Sequence, residues 1–231
     1  MASRLEIWPS YLFPSVLDVL RTLADGISDK SFLIGTAISL KRILIGYALS
    51  LVMGILLGTA MGRVKALRES FGGLILGLQT LPSICWLPLA LLWFGLSEAA
   101  ILFVVVMGAV LSITIATQDG IRSVPPILIR AGENMGAKGF RLLVEVILPA
   151  ALPSIMTGMK QGWSFAWRSL MAGELLYVSV GLGHLLTVGR ELNDMSQVIA
   201  VMIVIVLIGL AVDRLVFAQI EGKVREQWGL G

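Results

Sequence analysis

Charged side chains are scarce in this sequence of 231 residues: Asp, Glu, Lys and Arg make up 14% of the chain, against about 25% in soluble globular proteins. The apolar set AVILMFWYC makes up 57%. So few charges cannot cover a surface in water, which argues against a soluble domain. Intrinsic disorder is excluded because it requires low hydrophobicity and high charge. Cys85 is the single cysteine, so a disulfide scaffold is excluded as well. The composition predicts an integral membrane protein.

The sequence motifs of catalysis and metal binding are also missing. There is no G-x-x-x-x-G-K-[ST] motif, so we expect the chain not to bind ATP through a P-loop. There is no H-E-x-x-H motif and no cysteine pair, so no metal site and no bound cofactor are predicted. An intramembrane enzyme would need a nucleophile–base or metal pair, and none is visible. The net charge of +3 is concentrated in loops and reflects topology rather than nucleic-acid binding.

Long apolar segments are what the chain has instead. A spanning helix needs about 20 mostly apolar residues, and four segments of about that length or more contain no Asp, Glu, Lys or Arg: 43–62, 70–97, 99–118 and 195–212. A fifth segment, 150–173, is apolar but carries Lys160 and Arg168. The apolar runs do not alternate as the strands of a membrane β-barrel do. We therefore predict an all-α, polytopic helix bundle with five visible spans.

The loops give the bundle an orientation. Basic residues are concentrated in loops 63–69 and 119–147, which the positive-inside rule places in the cytoplasm. The C-terminus then lies inside, and the loop 174–194 lies outside. Lys41 and Arg42 disagree, because they fall near the outer end of the first span; the long basic loop is the stronger signal.

The N-terminal segment has a pattern of its own. Apolar residues recur at helical spacing, which predicts a short amphipathic helix on the outer membrane surface; they are Val16, Val19, Leu20, Leu23 and Ile27. Residues 1–30 lack the features of a signal peptide. Five spans with the C-terminus inside leave the N-terminus outside, so we expect a further span encoded upstream. The predicted parts are an outer-surface segment 1–30, a transmembrane domain 31–220 and a cytoplasmic tail 221–231.

Small residues recur every fourth position in the first span. They are Gly46, Ser50, Gly54, Gly58 and Gly62. This spacing places them on one helix face, where they allow another backbone to approach closely. Glycine is common in membrane helices, but five small residues in register favour a packing seam.

The long basic loop contains the most informative motif. Pro125 and Pro126 suit a helix start, and Gly136 can supply a left-handed cap, so a short helix is expected over about 126–135. The loop then reads Arg130-Ala131-Gly132, three residues, Gly136, nine residues, Val146-Ile147-Leu148-Pro149. An exposed, partly apolar helix of this kind requires a protein groove.

This pattern resembles the loop of bacterial ABC importer permeases, written Glu-Ala-Ala, three residues, Gly, nine residues, Ile, one residue, Leu-Pro. The spacing is complete, although Arg130, Gly132 and Val146 replace the Glu, the second Ala and the Ile. In the family this loop is the coupling helix that docks into the ATPase subunit. The resemblance implies an ATPase-coupling role for Arg130, Ala131, Gly132, Glu133, Gly136, Leu148 and Pro149.

Further segments resemble one subfamily, the permeases for nitrate, bicarbonate, taurine and aliphatic sulfonates, with thiamine-precursor importers nearby. They are 36–46, Leu81-Pro82 with Leu87-Pro88-Leu89, Trp93-Phe94-Gly95, and Trp167-Arg168-Ser169-Leu170 with Glu174. The resemblance implies six spans, the first of them before residue 1. It also implies a multi-pass protein of the inner membrane that works with two ATP-binding subunits, a second permease copy and an external binding protein. ATP and magnesium would be bound by the partner ATPase.

Intramembrane charges usually face the interior of a bundle because they cost about 2.5–3.5 kcal/mol each in lipid. The fifth predicted span has one polar and aromatic side, which can line a translocation path that attracts an anion; its residues are Lys160, Ser164, Trp167, Met171 and Glu174, with Arg168 further round. The alternative is that Lys160 and Glu174 snorkel to the two surfaces.

The second predicted span is interrupted by Pro82 and Pro88, which Gln79 precedes. Prolines free backbone carbonyls in a membrane helix, and this is tolerated where a cavity or protein satisfies them. Path lining or a gating kink is one interpretation, and helix distortion for packing is the other. The function expected from all these features is a permease subunit that imports a small anion by alternating access. A permease for a thiamine-precursor-like molecule, or an ion-coupled carrier or channel, is the alternative.

Overall fold

The structure is a computed structural model that describes residues 14–176 and 179–227. Within these ranges the regular structure is entirely helical, which confirms the all-α prediction. The helices are α1 (Val16–Ser28), α2 (Ser31–Arg63), α3 (Lys65–Gln79), α4 (Leu87–Phe94), α5 (Glu98–Arg122), α6 (Pro126–Asn134), α7 (Gly139–Leu142), α8 (Leu148–Leu176), α9 (Leu182–Glu191), α10 (Met195–Val212) and α11 (Ala218–Gln227). A 3₁₀ turn, Ser83–Trp86, precedes α4, and π-helical turns at Leu143–Ile147 and Asp213–Phe217 join α7 to α8 and α10 to α11.

In the described ranges, four helical stretches are long and apolar enough to cross a membrane: Ser31–Arg63, Glu98–Arg122, Gly139–Leu175 and Met195–Gly222. There are five if α3 and the helix Ser83–Phe94 together form one broken span, since these two are bent by 106°. The span predicted over 70–97, with Pro82 and Pro88 interrupting it, is thus broken sharply, and the count of five predicted spans holds if the two parts cross the membrane together. The physical reason is Pro82, which has no N–H to donate and adopts an extended ψ of 138°, so the helical hydrogen bonding stops there.

The first span is longer than predicted: α2 begins at Ser31 rather than at 43. The sequence-based boundary was set by the charges of Lys41 and Arg42. Arg42 nevertheless lies inside the helix and is buried, because it pairs with Glu98 and Glu174. A basic residue that is neutralised within the bundle does not mark the end of a span.

Helix α5 is the centre of the bundle and lies between α2 and α8. The small-residue stripe of α2 packs against it. A Cβ added at Gly58 would lie 2.5 Å from the carbonyl oxygen of Thr114, and one added at Gly54 would lie 2.7 Å from Cγ2 of Ile113. Gly46 and Gly62 approach Val105 and Ile121 in the same way, and Ser50 is fully buried between them.

Helix α8 packs on the other side of α5, again through small residues. A Cβ at Gly158 would lie 2.3 Å from Cβ of Ala116, and one at Gly162 would lie 2.8 Å from Ile113. Ile113 is completely buried between the two neighbouring helices. Close approach of backbones is what allows helices to associate in lipid, where burial of apolar surface supplies little driving force.

The bundle has two ends. Helices α2, α5 and α10 begin at the end that carries α9, which we call the α9 end, and run toward the end that carries α6, which we call the α6 end. Helix α8 runs in the opposite direction. The contact of Gly62 with Ile121 lies at the α6 end, and that of Gly35 with Leu185 lies at the α9 end.

Helix α1 is amphipathic, with the helical spacing expected from the sequence. Its N-terminus has a capping box: the Asp18 N–H donates to Ser15 Oγ at 3.2 Å, and the Ser15 N–H donates to the Asp18 carboxylate at 3.1 Å. The Ser15 hydroxyl also donates to the Asp18 carboxylate, and this bond is the main reason that the pKa of Asp18 is lowered from its usual value. The bond from the Ser15 backbone N–H makes the second largest contribution. Val19 is buried against the bundle, whereas Val16 and Leu17 are exposed. Residues 1–13 of the predicted outer-surface segment and 228–231 of the predicted tail lie outside the described residues.

Candidate functional site

A cavity of about 370 Å³ lies at the break between α3 and α4. Its wall is completed by the middle of α5 and by α8. Most of its lining is apolar. The four polar residues that line it are Gln79, Thr80, Ser83 and Arg168. We call this space the break cavity.

The helix break explains why polar groups meet here. The chain turns away after Gln79, where the Thr80 hydroxyl donates to the carbonyl of Gly77 at 2.7 Å. Pro82 then forces the backbone into an extended conformation before the 3₁₀ turn. In the described part of the chain the Gln79 amide makes no side-chain hydrogen bond, so its donors and acceptor remain available to a bound molecule.

Arg168 contributes the positive charge of the break cavity. Its guanidinium lies 5.4 Å from the ring centroid of Phe165, a cation–π contact within one helical turn. Among the described residues no carboxylate lies within ion-pair distance of it. This contrasts with Arg42, Arg141 and Lys160, each of which has a carboxylate partner.

A second cavity, of about 330 Å³, lies on the other side of Arg168, between α8 and α10. We call it the α8–α10 cavity. Five side chains that can donate hydrogen bonds line it together with the Asp213 carboxylate; they are Lys160, Trp163, Ser164, Trp167 and Arg168. The indole Nε1 of Trp167 is buried and has no hydrogen-bond partner in the described structure. A buried donor without an acceptor costs free energy.

The residues predicted to line a translocation path therefore lie in several places. Gln79 and Pro82 face the break cavity, Lys160, Ser164 and Trp167 face the α8–α10 cavity, and Arg168 lines both. Met171 is partly buried against two apolar clusters. Pro88 is an exposed residue in the first turn of α4 and lines neither cavity.

Glu174 is the clearest departure from the predicted path. Its side chain is completely buried at the α9 end. It accepts hydrogen bonds from Ser39 Oγ at 2.8 Å, Arg42 Nη1 at 2.8 Å and the Gly183 N–H at 2.9 Å. The expectation that Glu174 shares an open, path-lining face with Lys160 is therefore corrected: it is enclosed by α2 and α9.

Arg42 is the centre of a network that sequence reasoning missed. Its guanidinium donates to Glu98 through Nε and Nη2, to Glu174 and the Val180 carbonyl through Nη1, and to Ser179 Oγ through Nη2. Ser39 Oγ in turn accepts from the Leu182 N–H at 2.9 Å. The network joins α2, α5, α8 and the start of α9. The available signal was the disagreement of Arg42 with the positive-inside rule, since a charge in the wrong place for topology needs a partner.

The loop motif forms the surface of the α6 end. Gly136 adopts a left-handed conformation with φ 87°, and the N–H of the next residue, Ala137, donates to the Gly132 carbonyl at 3.0 Å. This arrangement is a Schellman cap at the end of α6. Gly132 is buried, and a Cβ there would lie 2.8 Å from Val146, so the loop motif packs against its own second half. Leu148 and Pro149 are partly buried at the start of α8.

The opposite face of α6 is open. Arg130, Ala131 and Glu133 are exposed, in contrast to Gly132. Ile127 and Met135, one turn before and after Ala131, are 74% and 81% exposed. Apolar residues at this spacing form a stripe of the kind that a protein groove accepts.

Comparison with known proteins gives a consistent result. The family model described as binding-protein-dependent transport system inner membrane component matches residues 50–224. A putative ABC transporter permease of Methanocaldococcus jannaschii is 41% identical over 87% of this chain and 76% of its own length. The taurine transport system permease of Escherichia coli is 31% identical over 90% and 77%, and the nitrate import permease of a Synechocystis species is 29% identical over 83% and 70%. A solved amino acid ABC transporter chain is similar in fold, with TM-score 0.70 and 16% identity over 87% of this chain and 97% of that chain.

Proposed function

Because the chain belongs to the family of binding-protein-dependent transport system inner membrane components, we propose that it imports a small oxyanion of the nitrate, bicarbonate, taurine or alkylsulfonate class. It is a multi-pass membrane permease of an ABC importer, and its relatives include permeases named for taurine and nitrate. The proposed mechanism is alternating access along a path that runs from the break cavity to the α8–α10 cavity.

The observation that carries the anion proposal is Arg168. It lines both cavities and has no carboxylate partner among the described residues. A cation within a membrane costs about 2.5–3.5 kcal/mol when it is uncompensated. A bound oxyanion offsets part of this cost by supplying the missing negative charge, and a guanidinium can hold two of its oxygens at once. The Gln79 amide, which makes no side-chain hydrogen bond among the described residues, is a further donor in the break cavity that Arg168 lines.

The α6 end is proposed to face the cytoplasm and to receive the ATPase. The exposed stripe of Ile127, Ala131 and Met135 would fill an apolar groove of one ATP-binding subunit, and Arg130 and Glu133 would form its charged border. The Schellman cap and the packing of Gly132 hold α6 against the bundle. Movement of the ATPase would therefore reach α8 through the short segment that follows α6.

The remaining parts of the assembly follow from the same proposal. A second copy of this permease would form the other half of the path, and an external binding protein would deliver the anion to the α9 end. This chain is not expected to bind ATP or magnesium itself, so hydrolysis would belong entirely to the partner subunits.

The test is transport by the complete assembly in proteoliposomes with ATP on the α6 side. Taurine, methanesulfonate and nitrate are offered with the binding protein, and uptake is compared between the wild type and Arg168→Ala. We expect at least a tenfold loss of uptake, with partial recovery in Arg168→Lys, while the ATPase still co-purifies. Arg190→Ala, which removes an exposed cation of α9, is the matched control and should transport normally. Unchanged uptake in Arg168→Ala, or no uptake of any of the three anions by the wild type, would contradict the proposal.

A further inference from the structure

Two cations line the α8–α10 cavity, and they differ in their counter-ions. Arg168 has none among the described residues, whereas Lys160 Nζ lies 2.8 Å from Asp213 Oδ1. The two positions are eight residues apart on α8, which corresponds to about 12 Å along the helix. Lys160 is the one nearer the α6 end, because Gly158 packs at the level of Ala116 whereas Ser169 packs at the level of Gly108.

Asp213 is presented by an irregular turn of helix. It is the first charged residue after the apolar helix α10, and it opens the π-helical turn Asp213–Phe217. A π-turn inserts an extra residue into the helical hydrogen-bonding pattern and is frequent at functional sites. Phe217 at its end is buried and contacts Trp163, which fixes the turn against α8. Asp213 and Lys160 themselves stay about half exposed to the cavity, at 45% and 46% of their side-chain surfaces.

We propose that Asp213 is a built-in competitor for the transported anion and sets its release from the inner half of the path. This inference rests on the proposed function. An anion at Arg168 meets a cation that no carboxylate of residues 14–176 and 179–227 pairs with. An anion that has moved on to Lys160 must displace the Asp213 carboxylate, which is already in place and tethered. The affinity of the path for the anion therefore falls toward the α6 end, and the anion leaves rather than remaining on the second cation.

The proposal predicts a specific effect of Asp213→Asn. This change leaves Lys160 charged but removes the carboxylate that is paired with it, while Glu221 stays as a weaker influence, so the inner half of the path should now retain the anion. Because the ion pair is half exposed, its contribution is modest, and we expect a two- to fivefold increase in affinity. The double variant Lys160→Gln/Asp213→Asn removes the cation as well and should lose this increase.

The experiment uses the complete transporter in proteoliposomes, with ATP inside and the binding protein outside. The vesicles are preloaded with increasing concentrations of whichever of taurine, methanesulfonate and nitrate the wild type takes up, and the concentration that halves initial uptake is measured. We expect that concentration to fall two- to fivefold in Asp213→Asn and to return to the wild-type value or above it in the double variant.

Two other outcomes identify what is wrong. If the Lys160–Asp213 pair only ties α8 to α10, Asp213→Asn lowers the uptake rate at zero internal anion but leaves the half-inhibiting concentration unchanged, and the inference is overturned. Arg168→Ala is measured in the same vesicles. Normal uptake in that variant contradicts the proposed function itself, whereas lost uptake together with an unchanged Asp213→Asn contradicts only the inference about release.

Discussion

Removal of the Glu174 carboxylate should destabilise the α9 end far more than removal of a surface carboxylate. Glu174→Ala breaks a fully buried ion pair with Arg42 and takes the acceptor away from the Gly183 N–H and Ser39 Oγ. Breaking a buried pair from one side costs about 3–5 kcal/mol. Arg42 keeps its second partner, Glu98, so the lower end of this range, about 3 kcal/mol, is the better estimate.

The assay is thermal unfolding of the purified protein in detergent, followed by tryptophan fluorescence. In a chain of this size 1 kcal/mol corresponds to about 2–4 °C in Tm, so Glu174→Ala should lower Tm by about 6–12 °C. The matched control is Glu145→Ala. Its pair with Arg141, at 2.9 Å, is exposed and should contribute only about 0.3–0.5 kcal/mol, or about 1–2 °C.

A second variant tests the reasoning within the same network. Glu98→Ala removes the other carboxylate of Arg42, but Glu98 is 57% exposed, so water can replace it and the loss should fall between those of the other two variants. If Glu174→Ala and Glu145→Ala lower Tm by amounts within 2 °C of each other, the network does not hold the α9 end together and the argument from burial is refuted.

Three further predictions concern packing, capping and pH. Gly58→Ala should lower the free energy of unfolding by about 1–3 kcal/mol, as overpacking does, because the new Cβ meets a backbone oxygen. Gly77→Ala is the control, because a Cβ there meets nothing within 4 Å, and it should leave the stability unchanged. The Tm values of the two variants check this. Gly136→Ala places a side chain at φ 87°, a strain of about 1–2 kcal/mol, and should reduce ATPase co-purification; Gly73→Ala, again in open space, should leave it intact. The hydrogen bonds from Ser15 that lower the pKa of Asp18 stabilise the α1 cap while the carboxylate is ionised. This stabilisation is complete above the ordinary carboxyl pKa and is lost as the pH falls through the lowered pKa. Hydrogen exchange of the α1 amides, corrected for intrinsic rates, should show the loss in the wild type and not in Asp18→Asn.

Much of the bundle follows from one-dimensional patterns in the sequence. Helices α5 and α10 were predictable because they are long and free of charge, and the stripe of α2 because its small residues keep a period of four. Gly136 was predictable as a cap because a left-handed residue has few alternatives to glycine. Each of these features depends on residues that are close together in the chain.

Other features depend on residues that are distant in sequence. The 106° bend at Pro82 could have been a mild kink, and its extent depends on how α3 and α4 pack against α5 and how the 3₁₀ turn between them packs against α8. The burial of Glu174 follows from α9, which folds back onto the end of α8 so closely that a Cβ at Gly183 would lie 2.4 Å from the Cβ of Glu174. A helical wheel of α8 alone places Glu174 beside Lys160, because it contains no information about the neighbouring helices.

The basic residues of the membrane domain differ in how many carboxylates they pair with, and this number decides whether each is free to bind an anion. Arg42, Lys160 and Arg168 all interrupt or border apolar segments, and the sequence treats them alike. In the structure Arg42 is enclosed by two carboxylates, Lys160 shares one carboxylate at the cavity surface, and Arg168 has none among the described residues. An arginine with its donors already bonded has nothing left to offer an anion, whereas one that faces a cavity without a counter-ion lowers its free energy when an anion arrives. In the proposed mechanism this order separates Arg42, a structural cation, from Arg168, a transport cation, and Lys160, whose ion pair with Asp213 is half exposed, lies between the two.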